Sequence, residues 1–486
     1  PKKVILMKTT VRGMLVNISD KNKEIVDDLM IKFSSAMRYA FNRRIEKVAK
    51  KKLEPELMGK YGLNRRQAKD AVYKADNIIK SQHKLMKRYY NNYKKKVKAA
   101  KKSLDKARSD RRISNLLKKL EKRKRKRDFY KEHIDNKTFP PVIFGGKDNF
   151  KKRCNNKISN AEWKELRNNK LLSRGDASKK GNPNLRIVYE SGQVFLRINT
   201  LKKKNNRRYV KIKVPLKLPQ KRTGSKINGR NYKDMVLSYA LEERPYQVEL
   251  IRKGGNYHCH ITIEEEPADI TTKDYNGVIG IDTNPVGFAL TAIDYQGNYM
   301  WHENIVNHEL IYTRSNRRLN IIGELVKKTV LLAKEKKMPI AIEDLKFKKD
   351  KDVQRKFARI SHQFIYKKLL LFLERACKRY GVELLKVKPA YSSVIGLYKY
   401  SHQFGLVVHN GAAMVIARRA LGYQDRLPKP IKRIVKSWLS NKEFEKFKEA
   451  SEWKRWSIFK KLIKKKGGGN PDWWSYNRES LLRKTA

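Results

Sequence analysis

The spacing of hydrophobic positions changes along the chain, and each change marks an element. The opening "KKVILMKTTVRGML" mixes β-branched and basic residues in short runs and predicts a strand. After "NISDKNKE" the period becomes helical, with Ile25, Leu29, Phe33, Met37, Tyr39 and Phe41 on one stripe. From there to residue 135 the chain reads helical and intensely basic. Its densest part, "MKRYYNNYKKKVKAAKKSLDKARSDRRISNLLKKLEKRKRKRDFYKEH", has so few apolar positions that it predicts a long helical hairpin with one thin seam.

Pro140, Pro141, Gly145 and Gly146 break that pattern, and the following segments predict strands. "NLRIVYESGQVFLRI" is a hairpin about Ser191 and Gly192; "RRYVKIKVPL" follows, then "YQVELIRKGGNYHCHITIEEE" turning at Gly254 and Gly255. With the N-terminal strand these would close a small β-barrel, the helical block being an insertion. The closure requires residues 1–15 to share a sheet with residues 245–265.

From residue 277 the order is explicit. "GVIGIDTNP", "GFALTAIDYQ" and "NYMWHENI" predict three strands, "RRLNIIGELVKKTVLLAKEKK" a helix, and "MPIAIEDL" a buried strand. "SHQFIYKKLLLFLERACKRYG" predicts a helix with Ser361 as N-cap and Gly381 past its end. "VELLKVK" is the last strand, and "VVHNGAAMVIARRALG" reads as a strand running into a helix at His409. Three strands, then helix, strand, helix, strand, helix is the order of a ribonuclease H-like α/β domain.

Charge narrows the function. Among 486 residues, 116 Lys plus Arg face 48 Asp plus Glu, a net charge of +68. Such an excess repels itself unless a polyanion neutralises it, and nucleic acid is the expected partner. No apolar run approaches the roughly 20 residues needed to span a bilayer, so no membrane partner is expected. The start lacks the pattern of a signal peptide, and a cytoplasmic, prokaryotic, nucleoid-associated protein is expected. Hydrophobic residues at 40% are enough to bury cores, and the length suggests about three domains. Cys154, Cys259 and Cys377 form no CxxC pair and read as buried free thiols.

The chemistry lies in paired carboxylates. Phosphodiester cleavage commonly uses two Mg²⁺ ions about 4 Å apart, held by hard oxygen ligands from separate elements. Asp282 closes the first strand in "GIDTNP" and Glu343 the central strand in "AIEDL". The first and fourth strands of such a domain are neighbours, so the two carboxylates would face each other.

"GIDTNPVGFALTAID", "IAIEDLK" and "HNGAAMVIARR" resemble the three motifs of the RuvC-like nuclease domain in the TnpB family and in compact type V CRISPR effectors. The resemblance implies a multidomain α+β chain: a wedge-like β-barrel (1–20 and 140–270) with an inserted helical recognition domain (21–139). A ribonuclease H-like (RuvC) α/β domain (271–425) and a basic, Trp-rich tail (426–486) follow. It implies RNA-guided cleavage of double-stranded DNA, with a guide RNA reading the sequence and the protein reading a short flanking motif. It makes Asp282 and Glu343 catalytic metal ligands for two Mg²⁺ or Mn²⁺ ions.

Two features depart from that family. Its third motif usually carries Asp where His409 stands and Asn where Gly411 stands. Either the His409 imidazole ligates metal, better with manganese than magnesium, or the site has decayed and the protein binds without cutting, as an RNA-guided repressor. If His409 is a ligand, cleavage is lost as it protonates, at or below the ordinary histidine pKa of about 6.5. The family's two CxxC pairs are absent from "PAYSSVIGLYKYSHQFGL", so no structural zinc is expected; "PAYSS" resembles the family's entry into that loop, which implies Tyr391 and Ser392 near the scissile strand, with a packing role as the competing reading.

Further nucleic-acid contacts are expected from Arg38, Asn42, Arg43 and Arg44 on one helix, and from Asn64, Arg65, Arg66 and Gln67 at the start of another. "KFKKDKDVQRKFAR", with Lys348, Lys349 and Arg355, is placed as a basic lid over the carboxylates. Five of the seven tryptophans fall in the tail, where Trp453 and Trp456 among lysines suit stacking on bases; a helical hairpin with a tryptophan core is the competing reading. A guide-independent DNA transposase is the alternative from another enzyme class.

Overall fold

The computed structural model describes residues 6–204, 208–220, 230–345 and 356–466. They form two compact units, one on residues 8–223 and 230–264, the other on the chain from Glu265 onward.

In the first unit β1 (Met7–Leu15) leads into helices α1 (Asp20–Ile45), α2 (Lys50–Tyr61), α3 (Arg65–Leu104) and α4 (Asp110–Asp135). Two short helices follow where strands were predicted, α5 (Lys147–Cys154) and α6 (Asn160–Arg167). Ser159 and Glu162 form a reciprocal capping box at the start of α6, and the Ala, Glu, Lys, Leu and Arg that follow are good helix formers. Cys154 ends α5 and is exposed, against the expectation of burial; Cys259 and Cys377 are buried, and burial pushes both thiols up, Cys377 to about 12.

The strands are β2 (Lys170–Ser173), β3 (Leu185–Glu190), β4 (Gln193–Lys204), β5 (Arg208–Lys217), and, after α7 (Tyr232–Leu241), β6 (Gln247–Lys253) and β7 (Asn256–Glu265). They form one sheet in the order β2-β6-β7-β1-β5-β4-β3. The N-terminal strand therefore does share a sheet with residues 247–265, as closure requires. The ladder itself stays open, a curled half-barrel with β2 and β3 as its edges. Side chains replace the missing ladder. Asn182 donates to Ser173 O (2.9 Å) and Tyr246 O (3.2 Å) and accepts from Leu185 N, while the Tyr246 hydroxyl accepts from Ile187 N at 2.8 Å. Edge groups satisfied in this way exert no demand for a direct β2–β3 pairing.

One core fills the curl, and α1 lines it through Val26, Leu29, Met30, Phe33, Met37 and Phe41. Past Met86, α3 runs out beside α4, joined by a seam of Val97, Ala100, Leu104 and Leu120. Leu120 is the one buried residue of α4, so the thin-seamed basic hairpin is present as the sequence pattern requires.

The second unit begins with three antiparallel strands, β8 (Val278–Asn284), β9 (Gly287–Ile293) and β10 (Tyr299–Val306). Helix α8 (Ser315–Glu335), β11 (Ile340–Glu343), α9 (Lys356–Tyr380) and β12 (Leu384–Val387) follow. The sheet order is β10-β9-β8-β11-β12, with β11 parallel to both neighbours. The predicted order of elements is thus realised, with two corrections. Helix α9 starts at Lys356, upstream of Ser361, which is therefore not its cap. Val407 and Val408 are not a strand: Val407 is the N-cap of the helix Val408–Ala420 and Val408 its first residue, and the segment before them is helical, with α10 (Ser392–Ile395), a π-helical turn over Gly396–Ser401, and α11 (His402–Phe404).

Helix α12 (Val408–Ala420) covers one face of the sheet, and α8 and α9 cover the other. The tail supplies α13 (Lys429–Trp438), α14 (Asn441–Glu449) and α15 (Glu452–Lys466), which pack with α12. Buried Asp425 fixes the start of this tail: it accepts from Lys399 and Arg418 at 3.3 and 3.2 Å and from the Tyr400 hydroxyl, while its carbonyl accepts from Trp456 Nε1 at 2.7 Å. Among the described residues no helix is long and apolar enough to cross a membrane.

A β-carbon on Gly280 would lie 1.9 Å from Ala413 O, whereas one on Gly323 of α8 meets nothing within 4 Å. Gly280→Ala should therefore destabilise the protein by about 1–3 kcal/mol or more, and Gly323→Ala should stabilise it by up to about 1 kcal/mol, both read by denaturant unfolding.

Candidate active site

The register of β8 against β11 places the two carboxylates. Ile281 lies opposite Ile342, so Asp282 and Glu343 occupy the next step of neighbouring parallel strands. Side chains alternate between faces along a strand. Ile279, Ile281, Ile340 and Ile342 point into the core under α8 and α9, whereas Val278 and Ala341 point into the core under α12. Asp282 and Glu343 share the latter parity and face α12.

Helix α12 presents His409 in its first turn. Its Nδ1 lies 2.6 Å from Asp282 Oδ2, with the histidine side chain 56% exposed and the aspartate 16%. An ionised carboxylate only accepts, so Nδ1 carries the proton, and in the neutral imidazole Nε2 keeps the lone pair. The hydrogen bond to Asp282 raises the His409 pKa, and partial burial opposes it.

Glu343 is held by a different set of groups. Ser392, at the start of α10 and 2% exposed, donates its hydroxyl to Glu343 Oε1 at 2.5 Å. Arg419 of α12 donates to Ser392 Oγ (2.9 Å) and Lys388 O (3.0 Å). Burial pushes the Glu343 pKa up, the Ser392 hydrogen bond opposes this, the Asp282 charge adds to it, and Arg419 lowers it. Burial raises the pKa of Tyr366 on α9, and the Asp282 charge adds to that rise.

Two converging carboxylates are hard oxygen donors of the kind Mg²⁺ accepts, alongside water and substrate phosphate. Burial and, to a lesser degree, the Asp282 charge disfavour the Glu343 anion, a condition that a divalent cation relieves, so the donor chemistry of the pair suits such an ion. Among the described residues no group of three His, Cys, Asp or Glu is placed to hold a metal. His409 meets Asp282 as a hydrogen-bond partner.

The sequence-predicted contacts divide by what they already bind. Arg38 donates to Arg167 O and to Asn168, and Arg44 to Asp76 and Val48 O. Arg43 pairs with Glu46, and Asn42 is exposed. Asn64 and Gln67 are buried and form the capping box of α3, with Asn64 also donating to Asn184; they do not present edges to a base. Arg66 pairs with Asp176, while the Arg65 side chain is 76% exposed and lies 3.9 Å from Glu54. Trp456 is 1% exposed with its N–H satisfied internally, so it is a core residue and not a stacking platform.

Trp453 is exposed, under the Arg419 guanidinium at 4.8 Å and beside Tyr391 at 5.7 Å. Ser392, expected near the scissile strand, touches Glu343. Lys348, Lys349 and Arg355 lie outside the described residues. Arg419 and Tyr366 were missed; "ARR" at the end of the third motif was a signal for the first, and nothing in the sequence marked the second.

A family model described as the SSO2105 N-terminal domain matches residues 8–276, more than half the chain. No curated protein matches. Among solved structures, the chain is similar to that of a Cas12f1–sgRNA–target DNA complex, at 11% identity over 85% of this chain and 99% of that one, with a TM-score of 0.35. A Cas12i–crRNA–double-stranded DNA complex is similar at 9% identity over 71% of this chain and 60% of that one, with a TM-score of 0.30.

Ser392→Ala removes the hydrogen bond that, among the described residues, favours ionised Glu343. The Glu343 carboxyl should titrate at higher pH in this variant than in the parent, as followed by carboxyl ¹³C NMR on metal-free protein. An unchanged midpoint would mean that the serine does not hold the carboxylate.

Proposed function

Given that the chain belongs to the SSO2105 N-terminal domain family, we propose that it is an RNA-guided DNA endonuclease whose RuvC-like site is built on Asp282 and Glu343. The observation that carries the reading is the placement of these two carboxylates at matching register on neighbouring parallel strands, close enough for one to raise the pKa of the other. The five-stranded order, three antiparallel strands followed by two parallel ones, is the ribonuclease H-like arrangement expected of such a nuclease. The guide RNA and a double-stranded DNA target with a short flanking motif are the partners implied by the three motifs, and the net charge of +68 suits both. The setting we propose is the prokaryotic cytoplasm, on the nucleoid.

Asp282 and Glu343 would hold Mg²⁺ or Mn²⁺, which supplies an activated water and charge stabilisation at the phosphate. The remaining work falls to the chain. Ser392 fixes Oε1 of Glu343, and Arg419 fixes Ser392 while its guanidinium keeps positive charge beside a phosphate-binding site. His409 holds Asp282 Oδ2 through its Nδ1 proton and so sets the orientation of that carboxylate. The exposed Trp453 ring offers a stacking surface near the same corner.

One observation favours a second reading. Because His409 is engaged with Asp282 and no third ligand joins the pair among the described residues, a protein that binds its target through a guide without cutting is the runner-up.

Protein purified with its own RNA should cut a matched plasmid in Mg²⁺ or Mn²⁺. Asp282→Ala and Glu343→Ala should each slow cleavage about a hundredfold or more, in keeping with several kcal/mol of lost stabilisation, while target binding in a filter assay persists. RNA-dependent binding without any cleavage by the parent protein would select the second reading. Full cleavage by His409→Ala would remove the histidine from the site.

A further inference from the structure

The second unit contains a cavity of about 680 Å³ that the carboxylate pair does not use. It lies between the π-helical turn, α13 and α15. Its apolar wall is Tyr398, Ile431, Trp438, Phe459 and Ile463, with the Tyr398 and Phe459 rings edge to face at 5.0 Å. Its polar lining is basic: Arg426, Lys429 and Lys432 border it, together with Lys399, and no Asp or Glu does. Lys399 is neutralised by Asp425 at 3.3 Å. Arg426, Lys429 and Lys432 have no carboxylate partner among the described residues, so the rim carries uncompensated positive charge beside an aromatic wall.

That pairing of surfaces matches one ligand chemistry. A nucleobase has an apolar face that stacks on aromatic rings, and its phosphate is an anion for lysine and arginine. The volume falls within the roughly 300–1,000 Å³ of small-ligand sites. A base in a duplex cannot turn its face to such a wall, so the occupant is unpaired.

The cavity is tied to the active site by a single short stretch of chain. Ser392 at one end of it binds Glu343, and Tyr398 and Lys399 line the cavity six and seven residues later. The π-helical turn is held against α12, because a β-carbon on Gly396 would lie 2.4 Å from Ala412 N. The cavity wall and His409 therefore belong to one packed body.

We infer that this cavity receives one unpaired nucleotide of the DNA strand being cleaved, its base against the half-buried rings of Tyr398 and Trp438, with buried Phe459 backing Tyr398, and its phosphate on Arg426, Lys429 and Lys432. The pocket rests on the endonuclease reading for the identity of the strand. It would hold that strand at a fixed distance from Asp282 and Glu343 and so set the position of the cut.

The test is photocrosslinking, performed on the full chain with its RNA and carrying Asp282→Ala, so that the readout does not require cleavage. Target DNA carries 5-iododeoxyuridine at successive positions of the displaced and target strands, and crosslinked peptides are mapped by mass spectrometry. The expected result is a crosslink to Tyr398 or Trp438 from one narrow window of one DNA strand. Lys429→Glu combined with Lys432→Glu should lower that crosslink about tenfold without moving the thermal unfolding midpoint. Crosslinks confined to other segments, or a crosslink unaffected by the double variant, would overturn the pocket. An equally strong crosslink from 5-iodouridine placed in the guide would overturn its assignment to DNA. A parent protein that never cuts while the DNA crosslink persists would defeat the endonuclease reading and leave an unpaired nucleotide in the pocket; cleavage with no crosslink would do the reverse.

Discussion

A β-carbon on residue 280 would overlap the carbonyl oxygen of Ala413, so α12 rests on β8 only over a glycine. The contact brings the first turn of the helix beside the end of the strand, and His409 thereby reaches Asp282. Further bonds hold the same approach. Thr291 donates its hydroxyl to Asn410 O at 2.8 Å, and Asn410 donates to Leu290 O at 3.0 Å, so β9 is bound to the helix as closely as β8. Gly411 then faces Gly396 across a gap too small for a side chain, so no side-chain ligand can stand at that position. The helix cannot shift to bring another residue to the carboxylates without losing all of these contacts.

In a chain this basic, the surroundings of each buried carboxylate distinguish structure from chemistry. Asp70 is bound by Arg174 at 2.6 Å, Asp76 by Arg44 and Lys50, and Asp425 by Lys399 and Arg418. Each has its charge neutralised where it lies. Glu343 has a serine hydroxyl at bonding distance, with Arg419 one residue removed, and Asp282 has an imidazole. Negative charge is thus left under-compensated at one corner of the fold. That corner is where an incoming cation has most to gain, and the aromatic and basic groups around Trp453 and the cavity at Tyr398 lie on elements adjoining it.

The basic residues show why charge alone does not locate a nucleic-acid surface. Arg38, Arg44 and Arg66 sit in runs that look free to meet phosphate, yet each closes an internal contact, and Asn64 with Gln67 caps a helix. Sequence lists the donors without their acceptors, which arrive from residues far away along the chain. Trp456 is the same case in apolar form: flanking lysines suggested a stacking surface, but Asp425 and Phe459 enclose the ring.

What the sequence determined by itself is what period and local chemistry encode. The strand runs of β8 to β10, the helical stripe of α1, the thin seam of the basic hairpin and the two strand-end carboxylates were all legible, because each depends on neighbours a few residues apart. The open edges of the half-barrel, the helical segment before α12, the buried Trp456, the Ser392–Arg419 support of Glu343 and the cavity beneath α13 were decided only by tertiary structure. Each of these depends on which distant group satisfies a buried donor, or on whether two backbones can approach, and neither quantity is carried by any single stretch of chain.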